Sequence, residues 1–194
     1  MKNFKKSIAL LVAVSMIVGC IIGGTLAWLT ATSSDVVNTF TTSDISVTLT
    51  ESDNLNLQMI PGHTITKDPK VTVAGGSEAC WLFVKVEEST NLEQFITYTT
   101  ESGWTALTGV DGVYYRKVPS STTDTEYSVL ANDQVTVKDT VKKTDMDRLK
   151  ETGATQPTLA FTAYASQLYK TNNVEFTAAE AWNNLGVSPT APTE

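Results

Sequence analysis

The chain has 194 residues, with 14 basic and 21 acidic residues, one histidine and a net charge of −7. An acidic surface repels phosphate groups, so the composition excludes nucleic acid as a partner. The length fits one domain that buries its own core, preceded by a separate N-terminal segment.

The N-terminal segment has the pattern of a secretory signal peptide. Three lysines at positions 2, 5 and 6 precede an uncharged, apolar run over residues 8–29. Signal peptidases cut after small residues, and Thr25-Leu26-Ala27 provides them at the −3 and −1 positions. We therefore predict a signal helix over residues 1–27 that is cleaved between Ala27 and Trp28, with Ala31 as the second choice. The membrane is expected as a partner only through this segment before cleavage.

Two other fates of this segment stay open. The uncharged run is about as long as the roughly 20 apolar residues that span a bilayer, so an uncleaved anchor is one alternative. Ile17-Val18-Gly19-Cys20 resembles a lipobox, in which Cys20 would be acylated. After cleavage at Ala27 the net charge would fall from −7 by three lysines to −10, and Cys80 would be the only cysteine. An internal disulfide or a cysteine-built metal site is then excluded.

The first half of the mature chain predicts three strands. Ile45, Val47 and Leu49 alternate with polar residues, the period of two typical of a half-buried strand. Ile65–Val73 predicts a second strand, in which Pro69 indicates an edge or a bulge. Cys80–Val86 is apolar on both faces and predicts the central strand of the sheet.

The second half predicts further short strands and helices. Asp111-Gly112 is a hairpin signal, and Thr90–Glu93 and Thr177–Glu180 are capping boxes that open short helices. The charged stretch Lys142–Glu151 is compatible with a third helix, and residues 188–194 predict a disordered tail. The predicted strands are Ile96–Thr100, Trp104–Leu107, Val113–Val118, Tyr127–Leu130, Val135–Val141 and Leu159–Ala165.

Many short strands separated by turns predict a mainly β fold. We expect an antiparallel β-sandwich of jelly-roll type with two or three short helices, formed by residues 28–187 as a single domain.

Several stretches carry a resemblance to one known family: Gly23–Thr30 (GGTLAWLT), Asn38–Thr41 (NTFT) and Pro61–Val71 (PGHTITKDPKV). They resemble the TasA/camelysin family of Gram-positive secreted proteins, whose signal peptides are processed by a SipW-type signal peptidase. Ala160–Gln167 and Ala179–Trp182 are similar to C-terminal elements of family members. The chain departs from the family at Ser43, often glycine there, and at His63, commonly an acidic residue.

The resemblance implies a secreted structural protein of the biofilm matrix or cell surface. Family members assemble into fibres, in which the freed N-terminal segment enters the next subunit as a donor strand. Such β-augmentation satisfies an open sheet edge, and a contact between two different surfaces propagates into a filament. The expected partners are the SipW-type signal peptidase and either further copies of the chain or related matrix proteins. A fold-back of the donor segment into its own sheet stays open. The donor strand would run from Trp28 to Phe40, with anchors Trp28, Leu29, Val36, Val37 and Phe40.

Two further functions are alternatives. Camelysin-like relatives are described as metalloproteases, but a zinc protease helix needs two histidines one turn apart, and His63 is the chain's single histidine. We therefore predict no enzyme activity, no cofactor and no metal. Cys80 opens an apolar strand and is expected to be buried. The acidic groups Glu87-Glu88 and Asp145–Glu151 lack calcium-loop spacing. The other alternative is a monomeric surface adhesin or accessory binding protein.

Overall fold

Ten strands, three α-helices and two short 3₁₀-helices (Ala131–Asp133 and Thr171–Asn173) occur in the described part of the chain, which is residues 44–52 and 58–187 of a computed structural model. These residues belong to one compact unit. The strands are β1 (Val47–Thr50), β2 (Thr64–Thr66), β3 (Lys70–Val73), β4 (Cys80–Glu88), β5 (Ile96–Thr97), β6 (Thr105–Ala106), β7 (Val113–Val118), β8 (Thr125–Ser128), β9 (Gln134–Val137) and β10 (Leu159–Gln167). The helices are α1 (Leu92–Phe95), α2 (Lys143–Arg148) and α3 (Ala178–Asn184).

The described strands form three antiparallel sheets, so the prediction of a mainly β fold is confirmed. Sheet 1 has the order β1-β3-β8, sheet 2 the order β10-β4-β7-β6, and sheet 3 the order β2-β9-β5. The finer prediction, a jelly-roll sandwich, is not tested by this strand order alone. None of the described helices has the length and apolar character needed to cross a bilayer.

The predicted central strand is confirmed. β4 lies between β10 and β7, and both its faces are buried. Leu82, Phe83 and Val84 are fully inaccessible to solvent, because their strand is covered by sheet 1 on one face and by α3 on the other. The face toward sheet 1 contributes to a cluster that we call the inter-sheet core: Val71, Val73, Cys80, Leu82, Val84, Val86, Trp104, Val118 and Val129.

The predicted first strand is also confirmed, and its partner lies in the same chain. Val47 and Leu49 are half-buried against the inter-sheet core, whereas Thr48 and Thr50 are exposed. β1 pairs with β3 in the register Val47 to Val73 and Thr50 to Lys70. The alternating segment therefore pairs within its own chain, as an edge strand of sheet 1.

The strand predicted over Ile65–Val73 is divided in two. β2 and β3 pair with β9 and β8, respectively, in two different sheets. Between them, residues 67–69 lie opposite the longer segment 129–133, so the ladder is interrupted at the proline, where a strand loses a donor. The Pro69 carbonyl accepts the Val129 N–H at 2.9 Å, and Asn132 has a left-handed φ of 56°. The prediction of an irregularity at Pro69 is therefore confirmed, but the prediction of one continuous strand is wrong.

Of the two predicted capping boxes, one is confirmed. At α3 the Thr177 hydroxyl accepts the Glu180 N–H at 3.3 Å, and the Glu180 carboxylate accepts the Thr177 N–H at 2.9 Å. A hydrogen bond from Lys170 at 2.6 Å is the main reason that the pKa of Glu180 falls to about 2.

The box predicted at Thr90 is wrong. The residue before α1 is Asn91, whose side chain makes no capping bond and instead donates to the Thr155 carbonyl at 2.7 Å. The α1 helix is held by burial of Leu92 and Phe95 in the core of sheet 3. The hairpin at Asp111-Gly112 is confirmed by the pairing of β6 with β7. The tail, residues 188–194, lies outside the described residues.

The contrast between the two boxes predicts different mutational costs. Thr177→Ala should lower the free energy of unfolding by about 1 kcal/mol, the usual cost of losing an N-cap oxygen. Thr90→Ala, at an exposed residue that is not the cap, should change it by less than about 0.5 kcal/mol. Urea denaturation of both variants measures the difference, and equal costs would contradict the assignment of the caps.

Candidate functional site

The residues predicted to carry the function lie outside the described residues. They are the cleavage pair Ala27 and Trp28 and the donor anchors Trp28, Leu29, Val36, Val37 and Phe40. The structure describes the surface that such a donor would need, which is an unpaired strand edge on the same fold.

The longest such edge belongs to β10. This strand pairs with β4 over all nine residues, from Leu159 opposite Glu88 to Gln167 opposite Cys80. Its other side has no strand partner in the described part of the chain. The backbone groups on that side can therefore accept one more strand.

The sequence of β10 lacks the features with which proteins protect an edge. LAFTAYASQ contains no charge, no proline and no glycine. Its side chains Phe161, Ala163 and Tyr164 are only half-buried although the strand packs on both faces. Phe161 and Ala163 contact the inter-sheet core, and the Tyr164 ring meets Trp182 of α3 edge-on at 5.4 Å. Incomplete burial of apolar side chains at an unpaired edge favours the addition of another strand.

β1 passes close to β10 without forming a ladder with it. It is an edge strand of sheet 1, and its residues Val47 and Leu49 pack on the same core as Phe161 of β10. The start of β1 is anchored where Ser46 N–H donates to the Ser77 hydroxyl at 3.2 Å. We call the free edge of β10 and the adjoining side of β1 the β1/β10 edge.

One charged pair borders the β1/β10 edge. The Lys67 ammonium lies 5.4 Å from the centre of the Phe161 ring and 2.8 Å from the Glu51 carboxylate. The Lys67 side chain is 11% exposed, so its stem covers part of Phe161 while its charge is neutralised by Glu51. The rest of the edge is uncharged.

A cavity of about 360 Å³ lies beside Lys67, between sheet 3, α1 and the start of β10. Its walls are mainly apolar, and its volume is at the lower end of small-molecule sites. Because Lys67 is paired with Glu51, its charge is not available to orient a ligand. The residues come from five separated segments, so no sequence pattern could have indicated the cavity; they include Met59, Ile65, Leu92, Ile96, Val135 and Leu159.

The candidate catalytic and metal-binding residues occupy structural positions. His63 is exposed in a turn, where its N–H donates to the Ile60 carbonyl at 3.0 Å. Asp145 and Asp147 form ion pairs with Arg148, Lys143 and Lys150 on the surface of α2. No group of three or more metal-ligating side chains occurs among the residues that the structure describes.

Cys80 is fully buried at the start of β4. Burial raises the pKa of its thiol to about 11, so the thiol is neutral at physiological pH and a poor nucleophile. The expectation that Cys80 is a packing residue is confirmed.

Comparison of the chain with protein-family models, with curated proteins and with solved structures finds no match. The resemblance to the TasA/camelysin family therefore rests on the sequence motifs alone.

The environment of Cys80 predicts that it resists modification. In a Cys20→Ser background, a disulfide reagent at pH 8 should modify native protein at least about a hundredfold more slowly than protein unfolded in urea. The raised pKa alone reduces the thiolate fraction by about that factor. Absorbance of the released thiol follows the reaction. Equal rates in the native and unfolded protein would contradict the buried position.

Proposed function

We propose that the protein is a secreted structural subunit that assembles into extracellular-matrix or cell-surface fibres by donor-strand β-augmentation. Residues 1–27 direct secretion and are removed by a SipW-type signal peptidase between Ala27 and Trp28. The freed segment Trp28–Phe40 then pairs with the free edge of β10 in the next copy. The observation that supports this proposal most strongly is the uncharged, nine-residue edge of β10, which has no strand partner among the residues that the structure describes.

Lengths support this pairing. The segment from Trp28 to Phe40 has enough residues to run along the whole of β10. An added strand forms main-chain hydrogen bonds that need no particular side chain, so pairing can occur at every position along the edge. Specificity would come from the alternate side chains of the donor that face the inter-sheet core.

Side-chain sizes at the edge also support it. The core-facing positions of β10 are large at its start and small toward its end, with Leu159 and Phe161 followed by Ala163 and Ala165. A donor side chain such as Val36, Val37 or Phe40 would pack beside the two alanines, and each fully buried side chain of this size contributes about 1.5–3 kcal/mol. Such packing would bury more of Phe161.

The fold supports the same class of protein. Sheets 1 and 2 face each other across the inter-sheet core, an arrangement compatible with the jelly-roll sandwich that the resemblance implies. The packing role of Cys80 and the turn position of His63 support a non-catalytic role. Because β1 passes close to β10, a fold-back of the donor onto its own β10 competes with assembly.

Removing the donor should abolish assembly without unfolding the domain. Protein that begins at Trp28 should form fibres in electron micrographs, and protein that begins at Asp44 should stay monomeric with an unchanged circular dichroism spectrum. The shorter chain keeps Ile45, Val47 and Leu49, which pack against the inter-sheet core. A peptide of residues 28–43 should bind this shorter protein, and a scrambled peptide should not.

Three outcomes of this experiment contradict the proposal. If both proteins form the same fibres, the donor segment is unnecessary, and if neither assembles, the fibre function is wrong. If the longer protein is monomeric while the peptide still binds the shorter one, the donor folds back on its own chain.

A charge on the β10 edge should block assembly from the acceptor side. Thr162→Glu places a carboxylate on the edge, opposite Lys85 of β4, which is already paired with Glu87 at 2.7 Å. We expect the protein concentration needed for fibres to form, measured by sedimentation, to rise at least about tenfold, since 1.4 kcal/mol of lost contact energy lowers the association constant by that factor.

The matched control is Thr105→Glu. Thr105 lies on β6, the opposite edge strand of sheet 2, and pairs with Tyr115. The Thr105→Glu variant should assemble like the unmodified protein. Equal assembly of the two variants would exclude the β10 edge as the acceptor.

A further inference from the structure

Arg116 of β7 is held between two aromatic rings on the side of the domain opposite the β1/β10 edge. Its guanidinium carbon lies 3.9 Å from the centre of the Tyr127 ring and 5.3 Å from that of Trp104. Both rings are fixed: Trp104 is 9% exposed and donates from Nε1 to the Ser128 carbonyl at 2.8 Å, and Tyr127 lies in the ladder opposite Val71. The guanidinium is therefore oriented before any ligand arrives.

The guanidinium has no hydrogen-bond acceptor in the described part of the chain. Its Nε atom is buried without a partner, and the group takes part in no ion pair of the described residues. The chain's other arginine, Arg148, is paired with Asp145 at 3.3 Å. A guanidinium carries five N–H donors, and those on Nη1 and Nη2 of Arg116 have no acceptor among the described residues, so they offer unused binding capacity.

The carboxylate of Glu101, whose charge acts on Arg116, is hydrogen-bonded to another residue. Oε1 of Glu101 accepts both the N–H and the hydroxyl of Ser102 at 2.7 Å. Glu101 acts on Arg116 only by electrostatic interaction. Burial lowers the pKa of Arg116, and electrostatic interactions with Tyr127 and Glu101 oppose that decrease. A carboxylate in contact with the guanidinium would offset the cost of burial directly.

The backbone beside Arg116 is a glycine, Gly103, which leaves room for the Nη atoms of the guanidinium. Gly103 has a φ of 89°, and a Cβ atom at this position would lie 3.0 Å from Nη2 of Arg116. A larger residue would therefore be strained and would also crowd the guanidinium. Arg116 is only partly buried, and of its guanidinium nitrogens only Nε is a fully buried atom without a partner, so Nη1 and Nη2 form the edge that a ligand can reach.

We propose that Arg116, clamped between Trp104 and Tyr127, is a binding site for a carboxylate group. The planar pair of Nη donors matches the two oxygens of a carboxylate. The carboxylate comes either from a free small molecule or from an acidic side chain of a second copy of this acidic chain. The site does not depend on donor-strand assembly, because it lies on another strand and another edge.

The test is a titration of the full chain with sodium acetate at constant ionic strength, followed by NMR of ¹⁵N-labelled arginine side chains. Signals of Arg116 should shift with a saturating curve, whereas those of Arg148 should show only a small, non-saturating drift. Acetamide, which has the same shape without the charge, should cause no saturating shift. Arg116→Lys keeps the charge but loses the planar fork and should weaken acetate binding at least about tenfold, measured by calorimetry.

Two results would overturn the proposal. One is a non-saturating shift of Arg116 no larger than that of Arg148, and the other is unchanged acetate affinity in folded Arg116→Lys. If this variant does not fold, the comparison of the two arginines in the unmodified chain decides alone. Thr162→Glu should titrate like the unmodified chain, so failure of strand assembly leaves this inference intact.

Sedimentation velocity distinguishes the two sources of the carboxylate. If a second copy supplies it, acetate and Arg116→Lys should each reduce the mass of the associated species formed by the Thr162→Glu chain. If a free molecule supplies it, that mass should not change although the NMR titration saturates.

Discussion

The constraint on which the structure depends is that β4 must be covered on both faces. Its residues Leu82, Phe83 and Val84 are inaccessible, and each large side chain contributes about 1.5–3 kcal/mol when buried. One face therefore requires sheet 1 and the other requires α3, whose Trp182 lies 5.3 Å from Phe83. The strands β10 and β7 flank β4 and supply its hydrogen bonds on both sides.

Covering β4 in this way leaves two open sides between sheets 1 and 2. The two sides differ in the side chains that cover them. At β7 and β8 the side is closed by Arg116 stacked on Tyr127, together with buried Trp104. At β1 and β10, within the described residues, this side is lined by half-buried side chains such as Phe161. Strand addition is favoured at the second side because apolar surface and backbone groups are both left incomplete there.

Local patterns predicted the elements whose formation depends on local chemistry. The alternation at Ile45–Leu49, the doubly apolar Cys80–Val86 and the box at Thr177 are all correct. The box at Thr90 failed because the Asn91 side chain bonds to the Thr155 carbonyl, a contact 64 residues away. The division at Pro69 and the edge position of β10 depend on which strands pair across the chain. An uncharged strand such as β10 has the same pattern at an edge as in the centre of a sheet. Arg116 was missed because Trp104 and Tyr127 approach it only through pairing of separated segments.

The central claim is that residues 28–40 of one copy lie as a strand along β10 of another. Solid-state NMR of fibres grown from a mixture of ¹³C-labelled and ¹⁵N-labelled chains tests it directly, because ¹⁵N–¹³C cross-peaks then arise only between copies. The account predicts cross-peaks between Val36–Phe40 and the strand Leu159–Gln167. Fibres in which these cross-peaks are absent, while other contacts between copies are seen, would contradict it.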